Sequence, residues 1–153
     1  MRDAREQIHQ YEIDLPRKFQ SIIFLGNGTP YPIASYGAFK MHEFFGAKSF
    51  GYLLDDYYHS PIFSLTKSDH VFILGHENAQ DPISAEFHCR LQKMHPRSYY
   101  FQPKVGRSNF EQVIFSIFII QVLVLCMAEN LRIEKPYYLS NKKMLNLSSS
   151  LIY

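Results

Sequence analysis

The stretch from Ser21 to Pro32 constrains the fold more than any other part of the chain. Ser21-Ile22-Ile23-Phe24-Leu25 has the length and apolar content of a strand buried on both faces. It runs into Gly26-Asn27-Gly28-Thr29-Pro30, and a helix opens at Tyr31-Pro32. A strand covered on both sides needs helices above and below it, which points to a layered α/β fold. Glycine lets the chain turn sharply, and Pro32 suits a first helical turn, where its missing N–H costs nothing. Backbone amides and the positive end of a helix dipole meet at such a junction, so an anion can sit there. The same pattern is more often only a tight strand-to-helix connection. Gly26-x-Gly28 lacks the third glycine of a dinucleotide fingerprint, and no Gly-Lys-Ser/Thr follows for a nucleotide loop.

The rest of the chain alternates in the same way. A helix is expected from about Pro32 to Phe45, with Ile33, Gly37, Met41 and Phe44/Phe45 towards the sheet and Gly46 as its cap. Tyr36, Lys40 and Glu43 form a second stripe on that helix. Lys48 to Tyr52 reads as a short strand, Leu53 to Tyr58 as a helical turn, and His70 to Leu74 as another strand ending at Gly75. Asp81-Pro82 starts a helix that runs to about Met94, and Ser98 to Gln102 is the next strand. Asn109 is expected to cap a long helix, Phe110 to Leu131, which Lys135-Pro136 ends. Arg2 to Tyr11 reads as a short helix or a loose arm, and Ile13 to Pro16 leads into the first strand. The serines at 148–150 suggest a mobile tail. The expected architecture is a three-layer α/β sandwich around a mostly parallel, doubly wound sheet. One domain would occupy residues 1–140, with a possible helical arm at 1–14 and a tail at 141–153.

Composition narrows the function classes. A net charge of +2 is too near neutral to argue for nucleic acid or an acidic membrane surface as a partner. The run from Val113 to Ala128 is broken by Ser116 and Gln121 and falls short of the roughly 20 residues of a membrane span, so it reads as a buried helix. Cys89 and Cys126 stand far apart with no Cys-x-x-Cys pair, and the histidines His9, His42, His70, His76, His88 and His95 show no metal-ligand spacing. No metal and no cofactor are expected. The N-terminus is too polar for a secretory signal, and a reducing cytoplasm is the expected compartment.

Three segments carry a more specific signal. Gly26-Asn27-Gly28-Thr29-Pro30-Tyr31-Pro32-Ile33-Ala34, then Gly37-Ala38-Phe39-Lys40-Met41-His42-Glu43, then His59-Ser60-Pro61, resemble the SIS (sugar isomerase) domain. The resemblance is strongest to the second SIS half of the glucosamine-6-phosphate synthase family and covers most of residues 15–140. It implies aldose–ketose isomerisation of a hexose phosphate or amino sugar phosphate through an enediol. That chemistry needs a base between adjacent carbons, an acid/base to open the ring and a cation near developing oxyanion charge.

By resemblance Glu43 stands at the proton-shuttling glutamate, Lys40 at the lysine three positions before it, and His59 at the ring-opening histidine. In that family the histidine reaches a neighbouring subunit's site, which implies a dimer. Gly26, Asn27, Gly28, Thr29, Tyr36 and Lys142 are the expected substrate-binding residues. Asp56 falls at a family glutamate and is expected to hold the loop. Without the resemblance, Lys40 and Glu43 read as an exposed i,i+3 pair and His59 as a loop histidine.

The pattern also departs from the family. Tyr36 stands where the family has an active-site glutamate, and Ser60 replaces the glycine of His-Gly-Pro. Lys142 meets the family's C-terminal lysine, after the Pro136-Tyr137-Tyr138-Leu139 motif, only with a one-residue shift. Met1 is followed by Arg2 rather than a cysteine nucleophile, so no glutaminase activity is expected. The serine/threonine-rich phosphate loop of a first SIS half is missing; Ser64-Leu65-Thr66-Lys67-Ser68 does not fit it. The chain is thus expected to pair with a second SIS half, its own copy or another polypeptide. The competing expectations are a phosphosugar-binding regulatory module without catalysis and a subunit that only completes a partner.

Overall fold

In the computed structural model, which describes residues 2–10, 21–76, 81–103 and 108–152, the Ser21–Leu25 run becomes a strand buried at every position, β1 (Ile22–Gly26). β2 (Ser49–Leu53) and β3 (His70–Leu74) pair on either side of it, and β4 (Ser98–Phe101) pairs with β3. All four strands are parallel, in the order β2-β1-β3-β4. Parallel neighbours need crossover connections, and the helices supply them on both faces. The doubly wound α/β sandwich read from the sequence is therefore the observed architecture.

In chain order the helices are α1 (Arg2–His9), α2 (Pro30–Phe45), α3 (Leu54–His59), α4 (Pro82–Met94), α5 (Asn109–Leu131), α6 (Tyr137–Ser140) and α7 (Lys142–Ile152), with a short 3-10 helix at Pro61–Ser64. Side chains alternate across a strand. Ile22, Phe24, Phe72, Leu74, Tyr99 and Phe101 point to one face, where they meet Ala4 and Ile8 of α1, Ala34, Ala38 and Met41 of α2, and the buried side of α5. Ile23, Leu25, Val71 and Ile73 point to the other, against Leu54 and Tyr57 of α3 and Leu91 of α4. Phe72 is the hub of the first face: its ring centroid lies 5.2 Å from Phe24, 4.9 Å from Tyr99 and 6.2 Å from Phe101.

Two glycines allow close approaches. A Cβ on Gly51 of β2 would sit 2.6 Å from the Ser35 Cα, so only glycine lets this strand lie against α2. Gly46 adopts φ 60° and caps α2, as expected, and the Tyr137 ring of α6 packs directly on it.

Several boundaries differ from expectation. Helix α2 opens at Pro30, two residues early, so Pro30 and Pro32 both lie in its first turn. The cap of α5 is Ser108 rather than Asn109; its side chain accepts from the Glu111 N–H while Glu111 reaches back, a reciprocal capping box. That helix ends on Arg132, in the left-handed region at φ 55°, before Lys135-Pro136 is reached. Its 23 residues are long and apolar enough to cross a membrane by length and composition, more than the broken run suggested. Its inner side lies in the core. The tail, read as mobile, forms α7, and Asn141 holds its start by accepting from the Met144 N–H; α6 lies just before it. The first helix stops at His9, short of Tyr11, and the Ile13–Pro16 lead-in lies outside the described residues.

The sheet's N-terminal end is tied by a buried polar network. Asp69 accepts from the Ser21 N–H and hydroxyl and from the Thr66 N–H and hydroxyl. Burial opposes its charge, but the bonds from Ser21 and Thr66 win and hold the carboxyl below its usual range. Its carbonyl meets His95 Nε2 at 3.0 Å. His70, 2% exposed, stacks on Tyr99 and lies 3.3 Å from its hydroxyl. Burial, aided by the nearby Arg97 and His95, pushes His70 down to about 4.

An unfolded histidine titrates near 6.5, so between that pH and about 4 the unfolded chain binds a proton that the native one refuses. Stability therefore falls as pH drops through this window, by at most about 3 kcal/mol. His88, also lowered by burial, adds a fall of the same sign. Urea unfolding at pH 7 and pH 5 reads the effect. His70→Gln is expected to flatten the slope; an unchanged slope would remove His70 as its source.

Candidate functional site

The sequence-nominated residues fall into three places. Gly26, Asn27, Gly28 and Thr29 form the β1–α2 loop at the C-terminal end of the sheet. This is where connections leave β1 and β3 for opposite faces, the crevice in which open α/β sheets bind ligands. A cleft of about 420 Å³ opens there, lined by Asn27, Gly28 and Thr29 with His76, Asp81 and Asn109. His76 bridges its wall, with Nε2 3.1 Å from Thr29 Oγ1 and Nδ1 2.6 Å from Gln112 Oε1. Three helices begin around the cleft, and part of their first-turn amide set is already used. Pro30 and Pro32 have no N–H, and that of Tyr31 bonds the Gly28 carbonyl. The Asp81 side chain takes the Ser84 N–H, and Ser108 takes that of Glu111.

Lys40 and Glu43 lie elsewhere. Glu43 is near the far end of α2, about 20 Å along the helix from its first residue at 1.5 Å per residue. Lys40 Nζ donates to Glu43 Oε2 at 2.5 Å, and Tyr36 lies one turn back with its ring centroid 5.4 Å from the same Nζ. The hydrogen bond to Glu43, and then its charge, hold the Lys40 ammonium above its ordinary pKa, so Lys40 is a cation and not a base. This pair lines a second cleft, of about 610 Å³, closed on its other side by Tyr138, Asn141 and Met144 of the C-terminal helices.

His42 lines this cleft too; its Nε2 accepts from the Ser49 N–H, which leaves the proton on Nδ1. Sequence alone gives His42 no role beyond the absence of metal-ligand spacing. Its signal was position: it lies between Lys40 and Glu43 on the same helix. Lys142 is exposed at the start of α7, while its neighbour Asn141 lines the cleft. Asp56 is exposed on α3; among the described contacts it is Asp55 that holds the loop, accepting from Asn27 Nδ2 at 3.4 Å.

His59 ends α3, exposed, with its ring 4.8 Å from that of Tyr58. Helix α3 packs on the opposite face of the sheet from α2. One chain therefore does not bring His59 to Glu43. Among the described residues no group of three or more histidines, cysteines and carboxylates is placed to hold a metal.

No family model and no curated protein matches this sequence. Solved structures do. The chain superposes on a candidate phosphosugar isomerase from Salmonella typhimurium LT2 with TM-score 0.72 and 10% identity, covering 86% of this chain and 44% of that one. The fold is that of the SIS domain. A second SIS-fold match is the C-terminal domain of glucosamine-fructose-6-phosphate aminotransferase from Francisella tularensis, with TM-score 0.62, 19% identity, and 85% of this chain and 42% of that one covered. A third is a candidate phosphosugar isomerase involved in capsule formation from Bacteroides fragilis NCTC 9343, with TM-score 0.62, 15% identity, and 85% and 80% covered. The chain thus spans about two fifths of the first two proteins and four fifths of the third.

Proposed function

We propose that this chain is a phosphosugar isomerase half-module whose reaction centre forms when a second SIS half docks against α2. The observation that carries the reading is the Lys40–Glu43 pair, held at 2.5 Å on the wall of the 610 Å³ cleft. Glu43 would move the proton between adjacent sugar carbons, and Lys40 would offset the negative charge that develops on the enediolate oxygen. Tyr36 stands beside Lys40 as part of the substrate wall. The opposite placement of His59 supports a site shared between copies, with His59 opening the ring bound at a neighbour's Glu43.

The test is proton–deuterium exchange at C2 of glucosamine-6-phosphate and C1 of fructose-6-phosphate, followed by NMR in deuterated water. Exchange by the purified chain is expected. A Glu43→Gln sample and a His59→Asn sample, each impaired, should regain activity when mixed, because one mixed site carries both native residues. Exchange that is absent from the folded wild-type chain, or mixing that restores nothing, would move the weight to a regulatory module. One observation favours that second reading: the Glu43 carboxylate is already engaged by an ammonium, which suits a fixed ligand contact as well as a base.

A further inference from the structure

A groove opens at the opposite end of the sheet from the glycine loop, where the chain enters β3 and β4. It holds about 380 Å³, near the lower end of the range for ligand clefts. Ile62 and Leu65, on and just after the 3-10 helix, supply one wall. Phe87, Leu91 and Met94 supply the other; they stand at i, i+4 and i+7 on α4 and so share one side of it. Ile62, Leu65 and Phe87 also pack on the core of this face, against the cluster that holds Leu54, Tyr57 and Leu91. The groove is thus an apolar trough on a firm floor, and Met94 on its rim is 86% exposed.

The charges around it have one sign. Lys67 and Arg90 are the two lysine or arginine side chains among the described residues that line it, and no carboxylate lines it with them. Arg97 brings a third cation to the Lys67 end, where its guanidinium donates to the Lys67 carbonyl at 2.9 Å. Two carboxylates lie close by, and neither cancels this charge. That of Asp69 is occupied by Ser21 and Thr66. Glu86 pairs with Arg90, but these side chains are 62% and 77% exposed, and so open a pair contributes little and is readily exchanged. Walls of isoleucine, leucine, phenylalanine and methionine leave the hydroxyls of a sugar unpaired, so a sugar phosphate is a poor occupant.

We infer that this groove is a binding site for an amphipathic carboxylate, a medium-chain fatty acyl group with its tail along Leu65, Phe87 and Met94 and its carboxylate against Lys67 and Arg90. The long stems of the lysine and arginine can cover the tail while their charged ends stay in water beside the carboxylate. The planar guanidinium of Arg90 suits a carboxylate in particular. Lys40 and Glu43 lie on α2, across the sheet, and the glycine loop lies at the other end of β1. The site is therefore separate from the isomerase reading and does not depend on it.

The probe is decanoate, titrated into the full chain below its micelle concentration and followed by NMR. Decyltrimethylammonium and butyrate are the comparisons. Decanoate is expected to shift the signals of Ile62, Leu65, Leu91 and Met94. The ammonium has the same tail with the opposite charge and should bind roughly tenfold more weakly. Butyrate keeps the carboxylate, has almost no tail and should leave the signals unmoved. Lys67→Glu turns an attraction into a repulsion of similar size, so it is expected to weaken decanoate by roughly tenfold and to tighten the ammonium. Lys67→Gln should fall between the two. Lys67 is exposed, and its side chain is not among those that bond Asp69, so both variants should fold, which thermal unfolding checks. Equal binding of the two tails, decanoate affinity unchanged by Lys67→Glu, shifts centred on exposed apolar residues elsewhere such as Phe110 and Leu125, or no response at all would overturn the inference.

Discussion

Glu43→Gln is expected to reduce the rate of C2 exchange by roughly 10² to 10⁴-fold, the usual contribution of a positioned base. The same change should leave the fold almost untouched. The Glu43 side chain is 45% exposed, and its partner Lys40 lies on the same helix three residues away. Exposed pairs of this kind contribute well under 1 kcal/mol. Glutamine also keeps an oxygen for the Lys40 ammonium, so α2 should not repack. Exchange measured by NMR and thermal unfolding measured on the same sample therefore separate chemistry from stability. A variant that unfolds early would show that Glu43 is structural; one that turns over normally would remove it from the mechanism.

Phe72→Ala is expected to produce the largest loss of stability. Its ring is fully buried and touches rings from β1 and β4, so truncation opens a cavity between three strands. Removing a buried phenylalanine costs about 3–5 kcal/mol, a large share of the 5–15 kcal/mol that holds an ordinary domain together. The melting temperature should fall by roughly 10 °C for a chain of this size. Phe63 is the internal control: it is 85% exposed on the 3-10 helix, and its replacement by alanine should stay within about 0.5 kcal/mol. If urea unfolding gives the two variants similar losses, the aromatic face is not where the core energy lies.

Much of this fold was readable because local and global signals agree. Ile22 to Leu25 and Val71 to Leu74 are apolar at successive positions, and both lie in strands buried on both faces. Asp81-Pro82 opened α4 as capping chemistry requires, and Gly46 closed α2 in the left-handed conformation. The errors arose where two signals compete. Pro30 and Pro32 are both acceptable in a first turn, so the start of α2 was ambiguous by two residues. The serines of the C-terminal segment hid the spacing of Leu145, which lines the second cleft with Met144.

The site was legible only in part. The stripe Tyr36, Lys40 and Glu43 follows from helical spacing alone. Its distance from the glycine loop does not, because the sequence places both in one short stretch while the helix carries them apart. Nor does the sequence reveal that Asp81 Oδ2 and Asn27 Oδ1 end up buried with no hydrogen-bond partner among the described residues: side-chain satisfaction depends on strands and helices far apart in the chain.

The layering of the core has a consequence for synthesis. One face of the sheet can close early, since α3 and α4 follow their strands at once. The other face, with Phe24, Phe72 and Phe101, stays uncovered along one side until α5 is made. A ribosome that stalls before residue 109 therefore leaves a row of stacked aromatics without the helix that covers them. Such truncated products present the kind of apolar surface that chaperones and proteases recognise and that aggregates when neither is at hand.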